Sequence, residues 1–242
     1  MATSLFKSGT SILNYCTEIA QRVLPGLCLL CGARAEQANL CAGCRTDLPY
    51  LPSDRCPRCA APSHERAVCG TCLRQPPRFD RTLASCVYAY PLDRIVQSFK
   101  YSGNLAAAPL LADLVLREVR GAPLPDLIVP MPLSRERLCE RGFNQAVEMA
   151  RPIAAELGIR LSTDACLRVL HTLPQSALAF DERAKNIANA FVCMQDMAGL
   201  SVAVVDDVLT TGATLNEVAR VLRKRGATEV TGWVAARTPE RT

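Results

Sequence analysis

The 242-residue sequence predicts an α/β domain with a mostly parallel sheet flanked by helices, preceded by a small cysteine-rich domain. Three observations carry this. Strand-like and helix-like apolar patterns alternate after Pro76-Pro77. Eight cysteines fall into four Cys-x-x-Cys pairs between Cys28 and Cys72. The apolar run Ser201–Asp206 ends in adjacent carboxylates and then a turn rich in hydroxyls.

The chain divides on this reading into a helical segment at 1–26, a cysteine-rich domain at 27–80 and the α/β domain at 81–242. In the first segment Leu5, Ile12, Leu13, Ile19, Val23 and Leu24 stand among polar residues. That spacing suits a short helix packed on its own protein, and no uninterrupted apolar stretch reads as a signal peptide. No run reaches the ~18 apolar residues of a membrane span. Clustered thiols without a secretion signal point to the reducing cytoplasm, where metal binding is favoured over disulfides.

In the second segment, Cys28, Cys31, Cys41 and Cys44 are separated by steps of 3, 10 and 3, and Cys56, Cys59, Cys69 and Cys72 repeat them 28 residues later. A Cys-x-x-Cys turn offers two sulfurs to one ion, and the intervening loop can bring a second turn opposite. Four thiolates make a closed tetrahedral zinc site with no position for catalysis. The segment has few large apolar side chains, so its core is too small to stand alone, whereas a structural zinc supplies about 10–16 kcal/mol. The unbroken repeat favours two sequential zinc sites, with interleaved pairing of the four knuckles as the alternative. Redox cysteines of the thioredoxin kind would need a βαβ context that this segment lacks. Two Zn²⁺ on eight thiolates take the formal charge from +5 to +1, so charge alone does not argue for a polyanionic partner.

The third segment reads in order as a strand at Leu83–Tyr90, helices at Pro91–Lys100 and Leu105–Arg120, and a buried strand at Asp126–Pro130. A helix at Gly142–Leu157, the strand Ser201–Asp206, a helix at Leu215–Lys224 stopped by Gly226, and a strand at Glu229–Ala236 complete it. Leu170–Asp181 contains a proline and shows no period, which reads as a mobile lid. In such a sheet, ligands bind at the carboxyl ends of the strands.

The decisive stretch is Asp206, Asp207, Val208, Leu209, Thr210, Thr211, Gly212, Ala213 and Thr214. A hydroxyl-rich loop opening a helix offers backbone N–H groups, hydroxyls and a helix dipole to one phosphate. Two adjacent carboxylates accept hydrogen bonds from vicinal hydroxyls, as on a ribose. A Walker-B reading of the carboxylates would need a G-x-x-x-x-G-K-[ST] loop, which the chain lacks, and no G-x-G-x-x-G turn is present either. The chemistry that fits both halves is a sugar with a phosphate beyond it.

This stretch resembles the fingerprint with which type I phosphoribosyltransferases bind 5-phosphoribosyl 1-pyrophosphate (PRPP). Together with the cysteine knuckles, Phe99-Lys100-Tyr101, Val129-Pro-Met-Pro-Leu133, Arg141-Gly-Phe-Asn-Gln145, Pro174-Gln175, Arg183, Asn186 and Arg237, it is similar to the ComF/GntX branch, the competence protein F-like phosphoribosyltransferases. The resemblance implies that Asp206 and Asp207 hold the ribose and that Thr210 to Thr214 hold its 5-phosphate. It also implies that the loop after Val129 faces the pyrophosphate with Mg²⁺.

Arg135, Arg137 and Arg141 follow a strand end directly, and a guanidinium there could fork onto the pyrophosphate; Arg137, Arg141 and Lys100 are the candidates. His64 reads as an exposed residue of a zinc loop, and His171 sits beside the expected lid. Cys16, Cys86, Cys139, Cys166 and Cys193 lie mostly in apolar surroundings and read as inert. Two functions follow from the resemblance. One is a pentosyl transferase that moves ribosyl 5-phosphate to an unnamed acceptor and releases pyrophosphate, with Asp206, Asp207 and Arg141 as catalytic residues. The other is a non-catalytic PRPP-responsive accessory module acting in DNA uptake or processing, with single-stranded DNA and the DNA-uptake machinery as candidate partners. The metallated cysteine-rich segment has little net positive charge, so the arginine face is the better DNA candidate.

Overall fold

The computed structural model describes residues 26–35, 37–169, 187 and 189–239. The N-terminal helix expected at 1–26 lies outside them but for Gly26, and the lid expected at Leu170–Asp181 and the residues Cys16 and His171 lie outside them, as do Pro174, Gln175, Arg183 and Asn186.

The cysteine-rich segment is a duplicated structure. Each first knuckle is a tight turn, with Gly32 N donating to Cys28 O and Ala60 N to Cys56 O, both at 3.0 Å. The matched positions Gly32 and Ala60 take left-handed backbone, φ 71 and 57. Each second knuckle opens a one-turn helix, α1 (Ala42–Thr46) after Cys41 and α2 (Gly70–Arg74) after Cys69.

The α/β domain follows: β1 (Arg81–Val87), α3 (Leu92–Tyr101), α4 (Ala107–Val119), β2 (Leu127–Pro130), α5 (Arg135–Arg141), α6 (Gln145–Leu157) and β3 (Arg160–Leu161). Then come β4 (Cys166–Arg168), β5 (Phe191–Cys193), β6 (Ser201–Leu209), α7 (Ala213–Lys224) and β7 (Glu229–Arg237). A parallel sheet runs in the order β1-β7-β6-β2-β3. β4 and β5 form a separate antiparallel pair.

Helical spacing produces the packing. In α3, Leu92, Ile95, Val96 and Phe99 form one buried stripe, each side chain contributing about 1.5–3 kcal/mol, which leaves Lys100 at the helix end beside the sheet. In α7, Leu215, Val218, Ala219 and Leu222 do the same. A Cβ at Gly232 of β7 would come within 2.4 Å of Leu215 Cδ2, so any side chain there would make Leu215 of α7 move.

The zinc-ribbon segment is welded to this domain. Leu51 N donates to Ser85 O and Val87 N to Pro49 O, which covers the exposed edge of β1. Arg45 pairs with Asp113 of α4 at 2.7 Å, and Arg55 pairs with Glu118. Cys28, Leu40 and Leu48 belong to the same buried cluster as the apolar faces of α3 and α4.

Several local expectations change, among them the first strand, which runs over Arg81–Val87 rather than Leu83–Tyr90. β6 continues past Asp206 to Leu209, because β7 is buried to its end and keeps pairing with it (Val208 with Ala236, Leu209 with Arg237). The arginine-bearing stretch expected as a loop is the helix α5, capped by Ser134 Oγ, which accepts from Arg137 N at 3.4 Å, and closed by Gly142 at φ 77. The next helix starts at Gln145 rather than Gly142, with the Asn144 side chain accepting from Ala146 N.

Candidate functional site

The carboxyl ends of β2 and β6 and the start of α7 open on one cavity of about 670 Å³. Asp206, Asp207, Val208, Leu209, Thr210, Gly212 and Thr214 line it, as do Lys100, Arg137 and Arg141. Residues far apart in the chain are thus brought together. Thr211 and Ala213 lie in the loop but not on the cavity wall; Thr211 Oγ1 instead accepts from Ala213 N at 3.2 Å and shapes the turn. Arg135 is exposed and outside the cavity.

The two carboxylates differ. Asp207 is buried; its Oδ1 receives Lys100 Nζ at 2.8 Å, while its Oδ2 is buried with no partner among the described residues. Burial acts to lower the Lys100 pKa, but the Asp207 carboxylate, with Asp206 behind it, holds it above the ordinary lysine value. Asp206 is half-buried, and its Oδ1 accepts from Asp207 N at 2.9 Å. Burial, and then the neighbouring Asp207 charge, push its pKa up to about 7 against the pull of Lys100 and Arg141.

The phosphate loop is held from behind. Gly212, at φ 81, turns the chain into α7, and a Cβ there would stand 3.6 Å from the Phe79 ring. Arg237 donates to Leu209 O at 3.4 Å and also to Thr210 O, fixing the carbonyls at the strand–loop junction. N–H groups at the start of α7, together with its dipole, leave this loop suited to a dianionic phosphate.

The opposite wall is cationic. Arg137 and Arg141 come from α5, and Arg168 joins them from β4. Phe99 lies 5.5 Å from Phe143, which sets α3 against the α5–α6 turn and puts Lys100 and Arg141 on the same cavity. The Arg141 guanidinium sits 5.4 Å over the Tyr101 ring. Burial, and after it the charge of Arg137, lower the pKa of Arg168. Gln145 also lines the cavity, and its Nε2 is buried with no partner among the described residues.

Sequence reasoning missed Arg168 and Tyr101. Arg168 sits in a three-residue strand too short to show a period, and nothing in its neighbourhood marks it. Tyr101 adjoins Lys100 within the quoted Phe99-Lys100-Tyr101, yet only the fold shows its ring at the cavity mouth.

Each cysteine quartet gathers as the repeat predicts: Cys28, Cys31, Cys41 and Cys44 form one group, Cys56, Cys59, Cys69 and Cys72 the other, with sulfurs within 4.8 Å of one another. Pairing is therefore sequential, and the interleaved alternative falls. Zn–S bonds of about 2.3 Å in a tetrahedron require sulfurs about 3.8 Å apart. Cys31 and Cys41 stand at 3.7 Å, Cys59 and Cys69 at 3.6 Å, so both quartets fit structural zinc. Burial opposes ionisation, but backbone N–H groups outweigh it and lower Cys28 to about 6 and Cys56 to about 7, whereas the Cys31 hydrogen bond raises Cys44, and burial raises Cys59 to about 11 and Cys72 as well. His64 is exposed, as expected. Among the other thiols, burial raises Cys86 and Cys166 to about 12 and raises Cys193 as well, whereas Cys139 is exposed. No helix among the described residues is long and apolar enough to cross a membrane.

Comparison with known proteins agrees with this layout. The double zinc ribbon domain family matches residues 19–73, and the phosphoribosyl transferase domain family matches 144–242. The chain is 36% identical over 224 residues to DNA utilization protein YhgH of Salmonella typhi, covering 89% of this chain and 98% of that one. It is 35% identical over 222 residues to competence protein F of Haemophilus influenzae, covering 87% and 96%. Competence protein ComFC of Bacillus subtilis is 29% identical, with 83% and 90% covered. Among solved structures, a purine phosphoribosyltransferase from Pyrococcus horikoshii aligns over 66% of this chain and 88% of its own at 18% identity, with a TM-score of 0.31.

Proposed function

The chain belongs to the competence protein F (ComF) family, a double zinc ribbon followed by a phosphoribosyltransferase domain, and from that premise we propose that its cavity binds PRPP with Mg²⁺. The observation that supports this best is the convergence on one cavity of the Asp206–Asp207 pair, the Thr210–Thr214 loop and a wall of three arginines. The loop and the α7 N-terminus take the 5-phosphate. The carboxylates accept the 2- and 3-hydroxyls, with the unpartnered Oδ2 of Asp207 as a ready acceptor. Arg137, Arg141 and Arg168 face the pyrophosphate. The oxygen-rich donor set of Asp206 and the ligand's phosphates suits Mg²⁺, which supplies charge neutralisation on the leaving group.

The reaction proposed for this site is transfer. The bond from C1 of the ribose to pyrophosphate breaks, pyrophosphate departs with the electron pair, and the lone pair of an acceptor nucleophile forms the new bond at C1. The arginine wall stabilises charge growing on the leaving group, and Asp206 and Asp207 face the positive ring. Calorimetric titration with PRPP and Mg²⁺ tests the binding step. Micromolar affinity that disappears in the Asp206→Asn, Asp207→Asn double variant is the expected result; wild-type affinity in that variant would remove the carboxylates from the site. A screen of nucleobases, amines and single-stranded DNA for pyrophosphate release tests transfer.

A second reading, PRPP-responsive binding of single-stranded DNA without catalysis, draws on one observation. Tyr101 is 75% exposed at the cavity mouth, beside the Arg141 guanidinium. An aromatic face among cations is what a single strand stacks on.

A further inference from the structure

Arg237 ends β7 and is 7% exposed, although its guanidinium is charged. Its partners among the described residues are carbonyls. Nε donates to Cys59 O at 3.0 Å, and Nη1 to Thr238 O at 2.9 Å, to Leu209 O at 3.4 Å and to Thr210 O. Cys59 belongs to the second cysteine quartet; Leu209 and Thr210 lead into the phosphate loop. One side chain therefore spans from a metal-binding turn to the loop.

The chain leaving that quartet makes a second connection. Phe79 backs Gly212, Arg78 N donates to Asn216 Oδ1 of α7 at 2.6 Å, and Arg223 of α7 reaches Asp80 at 2.5 Å. The first quartet differs: Cys28 packs in the buried cluster of α3 and α4, whereas Leu209 and Leu215 belong to the other cluster.

Charge gives the link a direction. A buried guanidinium without a carboxylate partner is costly. Four thiolates around Zn²⁺ carry a net charge of −2, which neutral thiols would not, and Arg237 is bonded to one of their carbonyls. Metal in the second quartet would thus both fix the Cys59 carbonyl and offset the charge on Arg237.

We propose that Arg237 is a positioning residue that couples metal binding at Cys56, Cys59, Cys69 and Cys72 to the shape of the phosphate loop, so that zinc there and a phosphoribosyl ligand bind cooperatively. The inference rests on the PRPP reading above. Coupling is reciprocal, so the ligand must retain the metal as strongly as the metal favours the ligand.

The experiment follows zinc leaving the full-length protein into a chromophoric chelator, with and without PRPP and Mg²⁺, while thermal shift monitors ligand binding separately. The expected result is that PRPP slows loss of one of the two zinc equivalents about fivefold or more and leaves the other unchanged. In Arg237→Met the same equivalent should leave at one rate with or without PRPP. A thermal shift in the wild type with neither zinc protected, or with both slowed equally, overturns the coupling and leaves the PRPP reading standing. Absence of any thermal shift overturns the PRPP reading and this inference with it. Should Arg237→Met not fold, the wild-type comparison of the two equivalents still decides.

Discussion

Lys100 Nζ lies 2.8 Å from Asp207 Oδ1, and this ion pair ties the end of α3 to the strand that leads into the phosphate loop. It uses one oxygen of the carboxylate and leaves the other buried and unpartnered. Asp207 is therefore both a structural anchor and a candidate ligand-binding group, a dual role that the sequence pattern Asp206-Asp207 does not reveal.

Removing the cation should be expensive. Lys100→Met leaves two neighbouring carboxylates with less compensation, and breaking a buried pair costs about 3–5 kcal/mol. The Lys100 side chain keeps 23% exposure, which places the loss near the lower figure, about 3 kcal/mol. Lys100→Arg keeps the charge and should recover most of it. Urea unfolding at neutral pH measures both; a Lys100→Met protein as stable as wild type would show that the pair contributes nothing.

Asp206 predicts a pH dependence of opposite sign to that of an ordinary salt-bridged carboxylate. Its folded pKa is raised to about 7, so between the unfolded value near 4 and about 7 the folded state binds the extra proton. Stability associated with this group is thus fully present at low pH and is lost as pH rises through about 7. Asp206→Asn should stabilise the ligand-free protein at pH 8, by about 1–2 kcal/mol once water in the cavity is allowed for, and do little at pH 4. Melting temperatures of both proteins across that range test the sign.

Zinc content tests the ribbon. Two equivalents per chain should be found after purification under reducing conditions, one for each quartet. Cys56→Ser should lose one equivalent and most of the roughly 10–16 kcal/mol that a structural site supplies. Because the second quartet adjoins the chain that backs Gly212, limited proteolysis of that variant should open residues 50–80 first. One equivalent or none in the wild type contradicts the two-site arrangement.

The two quartets were legible in the sequence because their chemistry is local. The 3-10-3 steps recur intact, and the paired turns at Gly32 and Ala60 confirm the duplication in the backbone. Asp206, Asp207 and the threonine loop were legible because an apolar strand that stops at acids is an unusual pattern. What could not be read depends on distant partners. Nothing near Arg168 says that a two-stranded ribbon will carry it to the arginine wall, and nothing near Arg237 says that it reaches Cys59. The end of β6 was misjudged for the same reason: its length is set by β7, which pairs with it to Leu209.

The final prediction concerns DNA. Metallation removes the excess positive charge of the first 80 residues: they hold nine basic and six acidic side chains, and two zinc sites shift that balance to about −1. The arginines at the cavity are the stronger attraction, and the exposed Tyr101 ring gives them a surface for stacking. Single strands should therefore bind with little sequence preference, and affinity should fall steeply with salt as phosphate contacts release counterions. Stacking on an aromatic ring contributes about 1–3 kcal/mol per base, so Tyr101→Ala should weaken binding roughly tenfold without changing the salt slope. Arg141→Ala should lower the slope by about one instead. PRPP draws on the same arginines, so it should compete with the strand at this mouth. Titrating labelled single-stranded DNA at several salt concentrations, with and without PRPP, measures all three. Binding that ignores PRPP and survives both substitutions would move the DNA away from this cavity, and the ribbon would be the next surface to test.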